Sequence, residues 1–227
     1  MSLLGKAALA MWWDMAPPMR PEFQDWHSHE HYPERMAIPG FLRGTRWGSA
    51  TGGEGIFQIY ELQGRETLTS AAYLARLNAP SPWSTRMMPH HRNMVRSQCD
   101  VLESFGSGVA GNALTVRLSP APGQGDELRA SLKALCRELA MRPGLSGAHL
   151  LRHETPDIGQ TTEQKIRGSS DQVADWVLLA CGYDGAALDQ LAATDLSAGA
   201  LVRRGAAAGA VHGQYCLLHS ATPADVS

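Results

Sequence analysis

Two kinds of hydrophobic pattern alternate along the chain, and their order repeats in its second half. Residues 7–14 and 112–119 are apolar and β-favouring, so each run predicts an opening strand. Within 128–139, leucines recur every three or four residues, which predicts an amphipathic helix on one apolar stripe. Pro143-Gly144 then acts as a stop signal for that helix. Each half is therefore expected to begin with a strand followed by a helix.

The remaining segments repeat in the same order. Further strands are predicted at 41–48, 56–62 and 95–103 in the first half, and at 145–153, 175–181 and 210–219 in the second; second helices begin near Ser70 and Ala186. The strand connections differ, because 51–55 is a short glycine-rich hairpin whereas 156–171 is a longer polar stretch. The order βαββαβ in each half is that of the ferredoxin-like fold.

The two halves also match residue by residue. At an offset of 105, residues 8–17 lie over 113–122 with four identities, and after the loss of one residue Pro39-Gly40 lies over Pro143-Gly144. Ordered matches of this kind indicate a tandem duplication. The small-residue stretch 104–111 is the expected linker.

The duplication predicts both domains and architecture. We expect an N-terminal repeat, residues 1–105, which carries the candidate site, and a C-terminal repeat, residues 106–227, which is structural. A βαββαβ unit covers one face of its sheet with two helices and leaves the other face bare. The second copy can cover that face, so the predicted fold class is α+β: two ferredoxin-like repeats that form a pseudo-dimeric α+β barrel within one chain.

Composition excludes several classes of protein. The 227 residues are 44% hydrophobic and 19% charged, which allows a sizeable core. A net charge of −2 gives no footprint for nucleic acid or an anionic membrane. Four dispersed cysteines without CxxC spacing disfavour zinc ribbons. No apolar run is long enough to span a membrane, and 7–13 is too short for a signal peptide, so we expect a cytoplasmic protein.

The first helix differs in chemistry between the halves. Phe23, His27, Glu30 and His31 align without a gap with Leu128, Leu132, Leu135 and Cys136. Burial of unpartnered polar groups costs about 1 to 3 kcal/mol each. Three ionisable groups on an inward stripe therefore predict a cavity between the first helix and its sheet.

Three interpretations of this stripe stay open. His27 and His31 could be satisfied core histidines, or they could chelate a metal ion at i, i+4. The segment 27–31 even fits the HxxEH pattern, but Pro33 is expected to kink or end the helix and no third ligand is evident. The third interpretation is an acid–base site on His27, Glu30 and His31, in which Glu30 orients an imidazole.

Other residues are candidates for the walls of the pocket. Trp12 and Trp13 must face opposite sides of the first strand, so one of them, taken as Trp13, is expected to line the cavity. Arg46 and Tyr60 lie on neighbouring strands, and His91 lies in the proline-bracketed segment 80–92, which could cover the site or supply a ligand. Ordinary packing is the alternative for each of them.

The segment around these histidines resembles a known family. Residues 26–35 read WHSHEHYPER and are followed by Pro39-Gly40-Phe41, which is similar to the W-H-x-x-E-H-x-P-E-R…P-G-F signature of EthD-like proteins in the dimeric α+β barrel superfamily. The resemblance covers 6–104 well and 112–220 in element order only. It supports His27, Glu30 and His31 as site residues and adds Trp26, but the second copy lacks every motif residue.

The resemblance implies a class of function without choosing a reaction. The superfamily includes cofactor-independent monooxygenases, isomerases, polyketide cyclases or dehydratases, and some haem enzymes. We therefore expect a cofactor-independent acid–base enzyme for a small aromatic or polyketide-like molecule. The alternatives are a haem- or metal-binding barrel enzyme, or a non-catalytic module that binds a hydrophobic metabolite. The fused barrels could further associate as a homodimer. No nucleotide cofactor is indicated, because 106–108 lacks a phosphate-binding glycine pattern.

Overall fold

Strands that hydrogen-bond to their neighbours around a full circle form the centre of the molecule. The computed structural model describes residues 3–155, 161–168 and 171–226, and within them eight strands close into an antiparallel barrel. The strands are β1 (Ala7–Asp14), β2 (Phe41–Ser49), β3 (Gly55–Leu62), β4 (Arg92–Gly106), β5 (Asn112–Leu118), β6 (Leu145–His153), β7 (Trp176–Gly182) and β8 (Val211–Ala221). Every one of the predicted strands is present, within a few residues of its expected bounds.

The strand order shows two equivalent sheets. Around the barrel, β4–β1–β3–β2 is followed by β8–β5–β7–β6, so both halves have the same arrangement. The sheets join where β2 pairs with β8 and where β4 pairs with β6. The chain therefore has the predicted α+β fold of two ferredoxin-like repeats in a pseudo-dimeric barrel. The division near residues 105 and 106 remains our proposal, since β4 extends through Gly106 to pair with Gly147 of β6.

Helices cover the outer face of the barrel. They are α1 (Arg20–Trp26), a π-helical turn (His27–His31), α2 (Tyr32–Met36), α3 (Ala71–Asn78), α4 (Pro82–Met87), α5 (Gly125–Leu139), α6 (Thr162–Arg167), α7 (Gly185–Ala193) and α8 (Ala198–Arg203). The serine N-caps Ser70 and Ser81 accept hydrogen bonds from the backbone of α3 and α4, which fixes where these helices begin. None of the described helices is long and apolar enough to cross a membrane.

The two tryptophans of β1 separate the barrel interior from its outer layer. Trp12 packs inward, where its ring stacks on Phe57 at 5.1 Å and its Nε1 donates to Thr115. Trp13 faces outward and packs with Phe23 of α1 and Met87 of α4. The predicted alternation is therefore correct, and Trp13 is the tryptophan that faces the helices.

The π-helical turn changes the alignment of the first helices. α5 is a regular α-helix, whereas its counterpart widens at His27–His31 and accommodates one extra residue there. Beyond the turn the offset becomes 104, so His31 occupies the place of Leu135 and Arg35 that of Leu139. All four of these side chains are buried. The expectation that Pro33 ends the helix is wrong, because the helix continues as α2 with Pro33 in its first turn.

Two segments predicted without secondary structure contain helices. The proline-bracketed segment 80–92 forms α4 and a short 3-10 turn that leads into β4. The polar stretch 156–171 contains α6, while residues 156–160 and 169–170 lie outside the described residues. α6 begins with a capping box formed by Thr161 and Gln164. It packs near α3 and the 3-10 turn, on the side of the barrel that carries the first helix.

Candidate functional site

A cavity of about 50 Å³ lies between the first-repeat sheet and its helices. The predicted site residues that line it are Trp13, Trp26, His27, His31, Tyr60 and His91. Two predicted residues, Glu30 and Arg46, do not line it. The structure thus brings together six of the eight side chains singled out from the sequence. The cavity is also lined by α6, which belongs to the second half of the chain.

His27 and His31 are buried next to each other on the π-helical turn. Their ring centroids lie 5.1 Å apart, and the indole of Trp26 packs 4.6 Å from His31. Burial lowers the pKa of both imidazoles well below 6.5; Arg46 lowers that of His27 further, and Arg35 that of His31. Both rings are therefore neutral near pH 7. The Nδ1 atom of each has no hydrogen-bond partner within the described chain.

His91 adds a third neutral imidazole. Its Nδ1 lies 3.1 Å from the carbonyl oxygen of Met87, so Nδ1 carries the proton and Nε2 keeps its lone pair. Burial lowers the pKa of His91 to about 4, with a further contribution from Arg167. The ring lies 5.2 Å from that of Trp13. The segment 80–92, predicted to cover the site or supply a ligand, thus contributes His91 to the wall.

Glu30 has a different position from the one expected. It is half-buried, and its Oε1 accepts hydrogen bonds from Trp26 Nε1 at 3.1 Å and from Ser81 Oγ at 2.5 Å. Within the described chain it makes no hydrogen bond to either histidine. The expected Glu30–imidazole contact is therefore wrong; Glu30 fixes the indole of Trp26 and the start of α4. The cause is the π-helical turn, which rotates Glu30 off the inward stripe.

Arg46 lies behind the histidines rather than in the cavity wall. Its guanidinium is buried, 5.2 Å from the ring of Phe23, and Nη2 donates to Ser28 Oγ. Its Nε and Nη1 atoms have no partner in the described chain. Arg46 therefore acts on His27 through its charge.

Arginines from both halves complete the site, and sequence analysis did not identify them. Arg35 Nη2 lies 2.6 Å from Glu163 Oε1 of α6, and both side chains are buried. Arg167 of α6 pairs with Asp171 at 2.8 Å. The offset between the two halves changes from 105 at Phe23 to 104 at Pro39. If that change is placed within residues 27–31, Arg35 aligns with the apolar Leu139, and this exchange would have marked Arg35 as a candidate. No comparable signal marked Glu163 and Arg167, because the first half has no counterpart of α6.

The cavity wall holds several buried polar atoms without partners in the described chain. They are Trp13 Nε1, His27 Nδ1, His31 Nδ1, Arg35 Nη1, Tyr60 Oη and Arg167 Nε. Burial raises the pKa of the Tyr60 phenol, so this group stays protonated and can donate. Buried polar groups are almost always hydrogen-bonded in folded proteins. Such a concentration around one cavity is typical of a binding site whose ligand or waters complete the hydrogen bonds.

The described side chains of the site fit neither a metal ion nor a haem. In the part of the chain that the structure describes, no three His, Cys, Asp or Glu side chains are placed to hold a metal ion. A cavity of about 50 Å³ holds a few water molecules, whereas sites for drug-sized ligands enclose roughly 300 to 1,000 Å³. A porphyrin therefore does not fit this arrangement of side chains.

The chain has the same fold as the dimeric α+β barrel proteins, with both sheets of the barrel in one chain. No protein-family model and no curated protein sequence matches it. A solved structure of an anthrone oxidase-like protein is similar over 100% of this chain and 98% of its own, with 14% identity and a TM-score of 0.68. The resemblance to the dimeric α+β barrel superfamily predicted from the sequence is confirmed at the level of the fold.

Two further solved structures are similar across nearly the whole chain. A proposed monooxygenase from Fusobacterium nucleatum is 10% identical, with coverage of 96% and 95% and a TM-score of 0.62. A haem-binding protein from Thermus thermophilus is 12% identical, with coverage of 95% and 92% and a TM-score of 0.51. At a sequence identity of 10 to 14%, the structural similarity shows that these proteins and this chain share a fold.

Proposed function

We propose that the protein is a cofactor-independent enzyme that removes a proton from a small, enolisable aromatic molecule. The observation that carries this proposal is the combination in one cavity of neutral imidazoles with buried hydrogen-bond donors. A neutral imidazole can accept a proton, and fixed donors stabilise the negative charge that forms on the substrate oxygen. Both requirements of enolate chemistry are then met by the chain itself.

His31 is the proposed base. Arg35 is the charged group with the largest effect on the pKa of His31, and both side chains line the cavity, so a substrate oxygen beside Arg35 can also lie beside the imidazole. The carbon-bound proton moves to His31, and the electron pair of the C–H bond moves into the enolate. Tyr60 Oη donates to the enolate oxygen, and the positive charge of the Arg35 guanidinium stabilises it. Return of the proton to another carbon of the substrate completes an isomerisation, whereas its transfer to a β-hydroxyl group that leaves as water completes a dehydration.

The aromatic walls support this chemistry in two ways. Trp26 and His27 pack against the base His31, and Trp13 packs against His27; these rings exclude water, which strengthens the electrostatic interactions inside the site. Glu30 is a positioning residue, because it holds the indole that packs against His31. An aromatic ring needs more room than the cavity provides, so binding must displace part of the wall.

The names of two similar solved structures support the proposed class of substrate. One neighbour is named anthrone oxidase-like, and anthrone is an aromatic ketone with acidic C–H bonds. Another is a proposed monooxygenase. These names agree with the proposed class of substrate, while the roles of His31 and Arg35 rest on the geometry of this chain.

The proposal is tested by deuterium exchange at the acidic carbon of the substrate. Anthrone and 1-phenylbutane-1,3-dione are incubated with the protein in D2O, and loss of the C–H signal is followed by NMR. The double variant His27→Leu, His31→Cys replaces both imidazoles with the residues that a gapless sequence alignment places opposite them in the second repeat. We expect it to lower the protein-catalysed rate by about 10² to 10⁴-fold, the usual contribution of a general base.

His29→Leu is the matched control, since His29 lies on the same turn but is exposed and does not line the cavity. It should leave the rate unchanged. Equal rates for the double variant and the wild type would overturn the proposal. Binding of both probes without any catalysed exchange would instead identify a non-catalytic binding protein.

A further inference from the structure

The cavity wall carries more positive than negative charge. Three arginines line it, Arg35, Arg96 and Arg167, whereas the carboxylates paired with them are those of Glu163 and Asp171. Arg96 donates to the hydroxyl of Tyr73 and forms no ion pair in the described chain. With the histidines neutral, the wall has an excess of one positive charge. Arg46, buried behind it and without an acidic partner in the described chain, adds a second.

The unpartnered atoms of Arg35 and Arg167 belong to different helices of the cavity wall. Arg35 Nη1 belongs to α2 of the first repeat, and Arg167 Nε belongs to α6 of the second. Each guanidinium uses one nitrogen, Nη2, for its carboxylate partner, and another of its N–H groups has no acceptor among the described residues. A buried N–H of a charged group that lacks an acceptor is costly, so an acceptor from outside the chain is favoured.

Apolar side chains fill the rest of the wall. Leu9, Met11, Leu77, Met88 and Met94 line the cavity together with the two tryptophans. An inorganic anion would gain nothing from these contacts, whereas an aromatic ring would bury its surface against them. The two parts of the wall therefore suit the two parts of one molecule, a charged group and an apolar body.

We infer that the substrate is an aromatic molecule with an anionic oxygen group, such as a carboxylate, bound between Arg35 and Arg167. This inference rests on the proposed function only in taking the cavity as the substrate site. It assigns α6 a role in selecting the substrate, because one of the two guanidinium groups comes from that helix. Arginine suits this task, since its planar fork matches the geometry of a carboxylate.

The test compares ligands of nearly equal shape and different charge. Benzoate and benzamide are titrated into the protein by calorimetry at pH 7, and we expect benzoate to bind at least about tenfold more tightly. The double variant Arg167→Gln, Asp171→Asn removes the charge without leaving an unpaired carboxylate. It should abolish the preference for benzoate while benzamide binding stays the same.

Arg142→Gln is the control, because Arg142 forms ion pairs with Glu138 and Asp195 at the surface of the second half. It should leave the preference unchanged. Equal binding of benzoate and benzamide, binding of neither, or an unchanged preference in the Arg167 double variant would each overturn the inference. A preference for benzoate without catalysed exchange would support the inference and refute the proposed function. Catalysed exchange of the neutral diketone without a preference for benzoate would support the proposed function and overturn the inference.

Discussion

The outer layers of the two repeats solve the same packing problem with different chemistry. α5 fills the space above its sheet with Leu128, Leu132, Leu135 and Leu139, all buried and apolar. In the first repeat, His27, His31 and Arg35 stand at the positions of Leu132, Leu135 and Leu139, and a cavity lies beside them. One scaffold thus accommodates either a solid core or a polar site. We expect the second arrangement to be the less stable one, in keeping with the binding or catalytic role that we propose for these polar side chains.

The contrast also shows how one repeat can serve the other. The short hairpin connection between β2 and β3 contains no helix, whereas the corresponding connection between β6 and β7 contains α6. Through Glu163, α6 holds Arg35 in place across the barrel surface. The second repeat therefore contributes to the site that the first repeat carries, in addition to closing the barrel.

The largest expected effect comes from making the solid core polar. Leu132→His with Cys136→His introduces two imidazoles where no cavity or partner exists in the described chain. We expect the free energy of unfolding to fall by about 4 kcal/mol or more, from buried polar groups and lost apolar packing. Urea unfolding followed by circular dichroism measures this change. A loss below about 1 kcal/mol would show that the second repeat tolerates the same chemistry, and the comparison would fail.

Acid should destabilise both the polar layer and the surroundings of His149, a buried residue of β6 whose pKa burial lowers to about 3. A histidine kept neutral by burial takes up a proton more readily in the unfolded chain, so stability falls as the pH drops from 6.5 toward the folded-state pKa. Since burial lowers the pKa of His91 to about 4, this residue alone should cost about 3 kcal/mol by pH 4. His27 and His31 act in the same direction.

Chemical unfolding between pH 7 and pH 4 tests this prediction. The variant His27→Leu, His31→Cys should lose less stability over this range than the wild type does. Identical losses in the two proteins would mean that these histidines are not held neutral by the fold.

A smaller effect is expected at Glu30. Glu30→Ala removes one of the two acceptors that fix the indole of Trp26 beside His31, the other being Ser84 Oγ, so exchange should slow by up to about tenfold, roughly 1.4 kcal/mol. Glu30→Gln keeps an acceptor oxygen and should restore most of the rate. Tryptophan fluorescence should change in the alanine variant and not in the glutamine variant. If glutamine is as harmful as alanine, the carboxylate has a direct role and the positioning role is wrong.

The strands and the repeat could be predicted because they depend on local pattern. Runs such as 7–14 and 145–153 are bounded by turns and keep their bounds in the structure. The helices α4 and α6 were missed since both are short, and α6 is polar and has no counterpart in the first half. Short helices depend on tertiary contacts more than on periodicity.

The part of the candidate site that was predicted correctly lies at helix positions where the two halves align without a gap. His27 and His31 were found because polar residues replace apolar ones at buried positions. Glu30 was misplaced and Arg35 was overlooked, because a gapless alignment assumes a regular α-helix and the chain forms a π-helical turn. Glu163 comes from a distant part of the sequence, 128 residues after Arg35, and only the closed barrel brings the two together.

The variant His27→Leu, His31→Cys tests the central claim most directly when stability and exchange are measured on the same preparation. If the first repeat gives up packing for a reaction site, the variant should gain about 1 to 2 kcal/mol in unfolding free energy and lose the catalysed exchange of anthrone protons. A variant that is less stable than the wild type and still catalyses exchange would contradict the account.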